Sequence, residues 1–227
     1  MEHPLHNPVF NALRSGDSHF ALGNAQVKYF PAEVSPYAGF DSNNATGFDQ
    51  LHALLPAGRQ ILFARPEPLE AIPTGWKLRH AIAGVQMIHD GKAPASPSFD
   101  AVQPLQAEHI PAMIALTRLT RPGPFASRTI EFGGYHGIFI NGALAAMTGQ
   151  RLHVGNYTEV SAVCTHPDHL GKGYATLLLQ HQLQLILAQG QQPFLHVRAD
   201  NERAIGVYER LGFTISRPME FYFMERG

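Results

Sequence analysis

The chain has 227 residues, a formal net charge of −1 and basic residues that are scattered rather than run together, a balance that argues against nucleic acid or an anionic membrane as partner. At 44% apolar and 15% charged residues it has the make-up of an ordinary folded protein, long enough for one domain or two small ones. Cys164 is the sole cysteine, which excludes an intrachain disulfide and fits a reducing, cytoplasmic setting.

The first residues, Met1 to Pro8, lack the basic-then-apolar order of a secretory signal, and no apolar run approaches the length that spans a bilayer. Prolines from Pro4 to Pro73 break residues 1–90 into short pieces. Within them, Asn7 to Arg14 reads as a short helix opened by Pro8, and Phe48 to Leu55 as another. Gln26 to Phe30, Gln60 to Ala64 and the end of Trp76 to Ile88 read as strands. No chemical motif stands out there. Asp90 to Ser98 is polar and holds two prolines and a glycine, so it reads as a linker. The expected division is a smaller α+β unit over 1–92 and a second unit over 99–227.

Beyond the linker, Ala101 to Leu105 reads as a short strand, and Glu108 to Leu119 carries apolar residues at helical spacing. Thr120 to Phe125 is a proline- and glycine-rich loop. Gly137 to Asn141 and Ala143 to Leu152 flank Asn141-Gly142, a hairpin turn whose two central residues both tolerate positive φ. After a second turn at Asn156-Tyr157, Thr158 to Thr165 is a strand. The next helix starts at Tyr174 and ends at Gly190, with Ala175, Leu178, Leu179, Leu183 and Ile186 on one stripe and Gln180 and Gln184 opposite. Phe194 to Arg198 is a strand, and Arg203 to Leu211 a helix with Asn201 near its start and Gly212 past its end. Phe213 to Ile215 and Glu220 to Met224 complete a mixed sheet with helices packed on it.

The informative stretch is the passage from strand to helix across His166 to Ala175. A strand, a loop with Gly171 and Gly173, and then a helix make an anion site: unpaired N–H groups and the positive end of the helix dipole face the loop, and glycines allow close approach. It is not a phosphate loop of the Gly-Lys-Ser/Thr kind, because Gly171-Lys172-Gly173 lacks the hydroxyl residue, and no Gly-x-Gly-x-x-Gly follows the strand.

Gly173-Tyr174-Ala175, preceded by Gly171 and Lys172, resembles the end of the Gln/Arg-x-x-Gly-x-Gly/Ala signature of the GNAT superfamily of acyl-CoA-dependent N-acyltransferases. The first position of that signature falls on Leu170 instead of Gln or Arg. Asn201 to Phe213 is similar to a second signature, Asn-x-x-Ala-x-x-x-Tyr-x-x-x-Gly-Phe, which places Asn201, Ala204 and Tyr208. The element order from Ala101 to Met224 fits as well, so the resemblance covers roughly the C-terminal 130 residues, a small-domain length. It implies a mixed, mostly antiparallel sheet flanked by helices. The N-terminal part resembles the extra half of two-part members, a degenerate copy of the same fold.

The resemblance implies an N-acetyltransferase that takes acetyl-CoA as co-substrate and a primary amine as acceptor, and it allows a homodimer. It assigns the cofactor cradle to Thr165, His169, Leu170, Gly171, Lys172, Gly173, Tyr174 and Ala175, with Asn201, Ala204 and Tyr208 along the pantetheine arm. A bulge in the preceding strand would free the backbone of Val163 or Cys164. Glu159 falls at the position of a general base, and strict alternation would put it on one face with Ser161, Val163 and Thr165. Tyr208 falls at the position of the acid that protonates the leaving thiolate. Arg121, Phe125, Arg128 and Glu131 fall in the acceptor-binding loop.

Other readings of the same residues remain. Glu159 could be a solvent-facing strand residue, Tyr208 a core residue of an amphipathic helix, and Lys172 a solvated lysine. His166 and His169, with no cysteine pair or acidic partner at ligand spacing, give no metal site. Cys164 and His166 share a face in an extended run, but nothing orients them as a nucleophilic pair. A non-catalytic acyl-CoA-binding module is the alternative to the enzyme.

Overall fold

The structure, a computed structural model, describes residues 3–92 and 97–227, so the middle of the expected linker, 93–96, lies outside the described residues. The N-terminal segment begins with helix α1 (Pro8–Ala12), where Pro8 sits at a first-turn position that needs no N–H donor. Strands β1 (Leu22–Gly23), β2 (Val27–Tyr29) and β3 (Ala38–Phe40) form a small antiparallel sheet. Helix α2 (Gly47–Leu54) follows, then β4 (Gln60–Arg65) and the long β5 (Trp76–His89).

The remainder runs β6 (Gln103–Pro104), α3 (Ile110–Thr120), β7 (His136–Ile140), β8 (Ala143–Val154), β9 (Tyr157–Thr165), α4 (Tyr174–Ala188), β10 (Gln192–Arg198), α5 (Glu202–Arg210) and β11 (Phe213–Arg226). The turn between β7 and β8 has Asn141 at φ 50° and Gly142 at φ 79°, the positive values expected of that dipeptide. The final strand is continuous rather than two pieces. Its register steps from Ile215–Met87 to Arg217–Gln86, so one extra residue, Ser216, is absorbed as a bulge and pairing resumes beyond it.

Strands from both sides of the linker build one eight-stranded sheet in the order β4-β11-β5-β10-β9-β8-β7-β6. Every neighbouring pair is antiparallel except β9 with β10. This is the expected α+β architecture, a mixed and mostly antiparallel sheet flanked by helices. The sheet nevertheless corrects the expected division at the linker. Strand β5, from residues 1–92, is hydrogen-bonded between β10 and β11, so the central sheet spans the expected boundary.

The sheet is covered on both faces. On one, α3 and the N-terminal segment bury Leu5, Val9, Leu13, Phe30, Tyr37, Met113 and Leu116 against Met147, Cys164, Phe194 and Phe221. On the other, α4 and α5 bury Leu179, Leu183, Ile186 and Tyr208 against Met87, Val160, Leu195 and Phe213. Burying each such side chain stabilises the fold by about 1.5–3 kcal/mol. The α4 stripe matches its pattern with one addition: Gln182 is fully buried. It accepts from Gln150 at 3.2 Å and donates to the Gly134 carbonyl, so its amide is satisfied without water. No helix among the described residues is long and apolar enough to cross a membrane.

Candidate functional site

The site begins where two parallel strands part. Strands β9 and β10 pair only over Tyr157–Gln192, Thr158–Pro193 and Glu159–Phe194. Beyond that point β9 continues along β8, and β10 continues along β5 as far as Arg198. A fork therefore opens toward the carboxyl ends of both strands. The loop after β9 and the start of α5 after β10 lie at its mouth.

Strand β9 bulges inside the fork. Its register with β8 steps from Met147–Cys164 to Gly149–Ser161, and Ala162 takes φ 53°, a left-handed conformation that costs an alanine about 1–2 kcal/mol. Gly149, opposite Ser161, has no side chain because the ring of Tyr135 lies 2.3 Å from where its Cβ would be. The expected bulge in this strand is present, and it overturns the expected alternation. Val160 and Val163 pack toward α4, whereas Ala162 and Cys164 pack toward the opposite core. Glu159 therefore does not share a face with Val163: the extra residue reverses the phase of the strand.

After β9 the chain makes a short turn over Pro167–His169 and enters the glycine loop. Gly171 and Gly173 take φ 77° and 79°, and the space where each Cβ would sit is open. Gly173 is the N-cap of α4 and offers no side chain to the first-turn N–H groups. Those donors of Tyr174 and Ala175 face the loop, where a pyrophosphate would find them. Leu170 is 50% exposed and adds no polar group. Lys172 Nζ lies 3.0 Å from His169 Nδ1 and brings a positive charge to the glycine loop. At the end of β9 the Thr165 hydroxyl is buried with no hydrogen-bond partner among the described residues. An uncapped helix, open positive-φ glycines and an orphaned hydroxyl together fit the phosphate end of acyl-CoA. His166 uses its ring to accept from the Asp168 N–H, and among the described residues no group of His, Cys, Asp or Glu could hold a metal ion.

On the other side of the mouth, Asn201 caps α5 by accepting from the Ala204 N–H at 3.2 Å, which leaves its amide NH₂ as a donor. Tyr208 lies two turns further along α5, packed on Phe213 with ring centres 6.0 Å apart. Burial pushes its phenol up to about 12, so it stays protonated and can serve as a donor at neutral pH.

Glu159 is not placed as a general base. It is fully buried on the face under the N-terminal segment. Its two oxygens accept from Arg151 at 2.9 and 2.7 Å, and one of them also accepts from His196 Nδ1 at 2.8 Å. Burial pushes the carboxyl up, but the charges and hydrogen bonds of Arg151 and His196 override it and hold the group down to about 2. A carboxylate that acidic is a poor proton acceptor toward an ammonium. The contacts continue sideways: His196 Nε2 lies 3.0 Å from the Gln86 amide, and the same amide donates to the Leu5 carbonyl at 2.9 Å. Arg151, Glu159, His196 and Gln86 thus form one row across β8, β9, β10 and β5. The Arg151 guanidinium stacks over Tyr37, 4.9 Å from the ring centre. Cys164 is likewise buried, and its thiol is pushed up to about 11, which keeps it inert as a nucleophile.

A cavity of about 440 Å³ opens beside the fork, between the C-terminal end of α3 with its following loop and the strands β4, β5 and β11. Phe125, one of the residues assigned to the acceptor loop, lines it together with Pro124 and Arg121. Arg128 and Glu131 do not. They lie on the surface, bound to each other at 2.7 and 2.8 Å, and Arg128 also reaches Glu33 at 3.1 Å. A second, water-sized void on the other side of the same loop touches Tyr135, Arg151, Ser161 and Ala162. The row around Glu159 and the cavity walls from β4, β5 and β11 carry no local signal in the sequence, because their members come together only when the sheet forms.

Residues 135–222 match the family model of FR47-like proteins. The whole chain superimposes on the crystal structure of a GNAT-family protein from Novosphingobium aromaticivorans with 34% identity, full coverage of both chains and a TM-score of 0.93. The chain belongs to the GNAT family. Two further members share the fold at 16% identity. A GCN5-related N-acetyltransferase from Kribbella flavida has a TM-score of 0.63, with 96% of this chain and 95% of that one covered. A GNAT-family acetyltransferase from Colwellia psychrerythraea has a TM-score of 0.54, with 87% and 80% covered. No curated protein matches this GNAT chain. The first of these likenesses runs from end to end, so the N-terminal segment over the sheet is part of the shared architecture.

Proposed function

We propose that this GNAT protein transfers an acetyl group from acetyl-CoA to a primary amine by direct attack in a ternary complex. The observation that carries the reading is the fork between β9 and β10, which opens onto an uncapped, glycine-fronted helix. In this reading the pyrophosphate sits on the N–H groups from Gly171 to Ala175, and the pantetheine arm lies in the fork. The bulged backbone near Val163 and Cys164 meets the thioester carbonyl, and Asn201 flanks the arm.

The amine lone pair attacks the thioester carbon, the C–N bond forms, and the C–S bond breaks. Tyr208 gives the departing thiolate its proton and regains one as the attacking nitrogen loses its own to solvent. With Glu159 locked in its row, the nitrogen must arrive unprotonated or release its proton to water in the cavity, so turnover rises with pH toward the pKa of the amine. That same locking favours a second reading, a non-catalytic acyl-CoA-binding module, because no free carboxylate stands at the expected base position.

The two readings separate in one assay, release of free CoA thiol from acetyl-CoA over a panel of primary amines. Amine-dependent release supports the transferase. Tight CoA binding with no release on any amine supports the module.

A further inference from the structure

We infer that the larger cavity binds an anionic, apolar acceptor: an amine that also carries a carboxylate, of the class of apolar amino acids. Its role as acceptor pocket rests on the proposed acyl transfer; the chemistry of its ligand does not. The cavity measures about 440 Å³, within the range of small-molecule sites.

Two chemistries line it. Ile61, Phe125 and Phe223 supply apolar wall; the polar wall includes Gln60, His80 and Thr117 and carries two cations, Arg118 and Arg121, contributed by α3 and its C-cap. Both arginines are exposed, and among the described residues neither side chain has an ion-pair or hydrogen-bond partner, whereas the Arg79 side chain, also on the wall, is tied to Glu225 at 2.5 Å. Glu225 in turn accepts from Gln60 at 3.3 Å, so that carboxylate is already engaged. The cavity therefore presents two uncompensated guanidinium groups, whose planar fork matches a carboxylate.

Arg121 is held at φ 52°, a left-handed position normally given to glycine and costly for other residues. The cavity is also in the right place. Gly123, Pro124 and Phe125 form its wall and, on their other side, line the small void at Ser161 and Ala162. A ligand in the cavity is thus one loop away from the bulge where the acyl group would lie.

The test is calorimetric titration of the CoA-loaded protein with two N-acetylated products that differ only in the carboxylate, N-acetylphenylalanine and N-acetylphenethylamine. A charge-assisted hydrogen-bonded pair predicts at least about tenfold tighter binding of the acid. The double variant Arg118→Gln/Arg121→Gln is expected to erase that difference, with its melting temperature verifying that it folds. Equal binding of the two products by the wild type overturns the inference, and so does an advantage for the acid that survives in the double variant. A wild-type preference for the acid with no amine-dependent thiol release would support the anionic pocket and count only against the transferase reading.

Discussion

The loop from His166 to Ala175 and the row from Arg151 to Gln86 flank the same fork, and they are built in opposite ways. The loop is open: its glycines are at positive φ with nothing where a Cβ would be, its helix has no side-chain cap, and Leu170 faces solvent. Its chemistry resides in backbone N–H groups, which any sequence with the right conformations can supply. The row is closed: Glu159 and Gln86 are fully buried, and each member depends on the side chain beside it. One region has its donors left over for a ligand. The other has spent them on the fold, bridging the two strands that diverge.

Removing a member of the row should therefore have the largest effect. Glu159→Ala leaves Arg151 buried without its carboxylate, and urea denaturation should show a loss of about 3–5 kcal/mol, roughly 10 °C or more in melting temperature. If Glu159→Ala instead folded with wild-type stability and lost only turnover, the row would be catalytic and the contrast with the loop would collapse.

Acid should have the next largest effect. Glu159 is held near 2 in the folded protein against an ordinary 4.5. A carboxylate with a depressed folded pKa contributes stability that is present above its unfolded pKa and is lost as pH falls through the folded one. The window is thus from about pH 4.5 down to about 2, and the contribution is about 3 kcal/mol. Urea midpoints recorded across that range should fall steeply in the wild type and less steeply in Glu159→Gln.

The loop should respond in binding rather than in stability. Gly173→Val must place a β-branched residue at φ 79°, which either distorts the cradle or shifts the start of α4. CoA affinity by calorimetry should fall at least about tenfold, about 1.4 kcal/mol. Unchanged affinity would move the cofactor elsewhere. Leu170→Arg should have the smallest effect, a gain of about threefold to tenfold in CoA affinity that fades with added salt.

The same contrast explains what the sequence could and could not reveal. The glycine loop, the Asn141-Gly142 turn and the Asn201-to-Phe213 helix are encoded within a few residues, through φ preferences, capping and helical spacing, and all three form as read. The row was hidden because its partners are 8, 37 and 110 residues apart, and no local pattern links Glu159 to Arg151, His196 or Gln86. The expected role of Glu159 as a base came from the family resemblance, whereas its expected shared face with Val163 came from assuming unbroken alternation along β9. One residue, Ala162, breaks it. The place of β5 between β10 and β11 was hidden for a related reason: a strand's neighbours are chosen by long-range pairing, whereas a polar, proline-rich stretch such as Asp90 to Ser98 announces only a flexible connection. Phe125 was singled out by the resemblance and lines the cavity, whereas Arg118, on the same wall, carried no signal in the sequence.

The central claim is that the fork holds acyl-CoA for chemistry, with Tyr208 giving up a proton to the leaving thiolate. Steady-state thiol release by Tyr208→Phe, paired with a CoA titration of the same variant, tests it most directly. With Tyr208 as the proton donor, kcat should fall about a hundredfold or more while CoA affinity stays within about twofold of wild type. Unchanged kcat, or a loss of CoA binding that accounts for all of the lost activity, would contradict it.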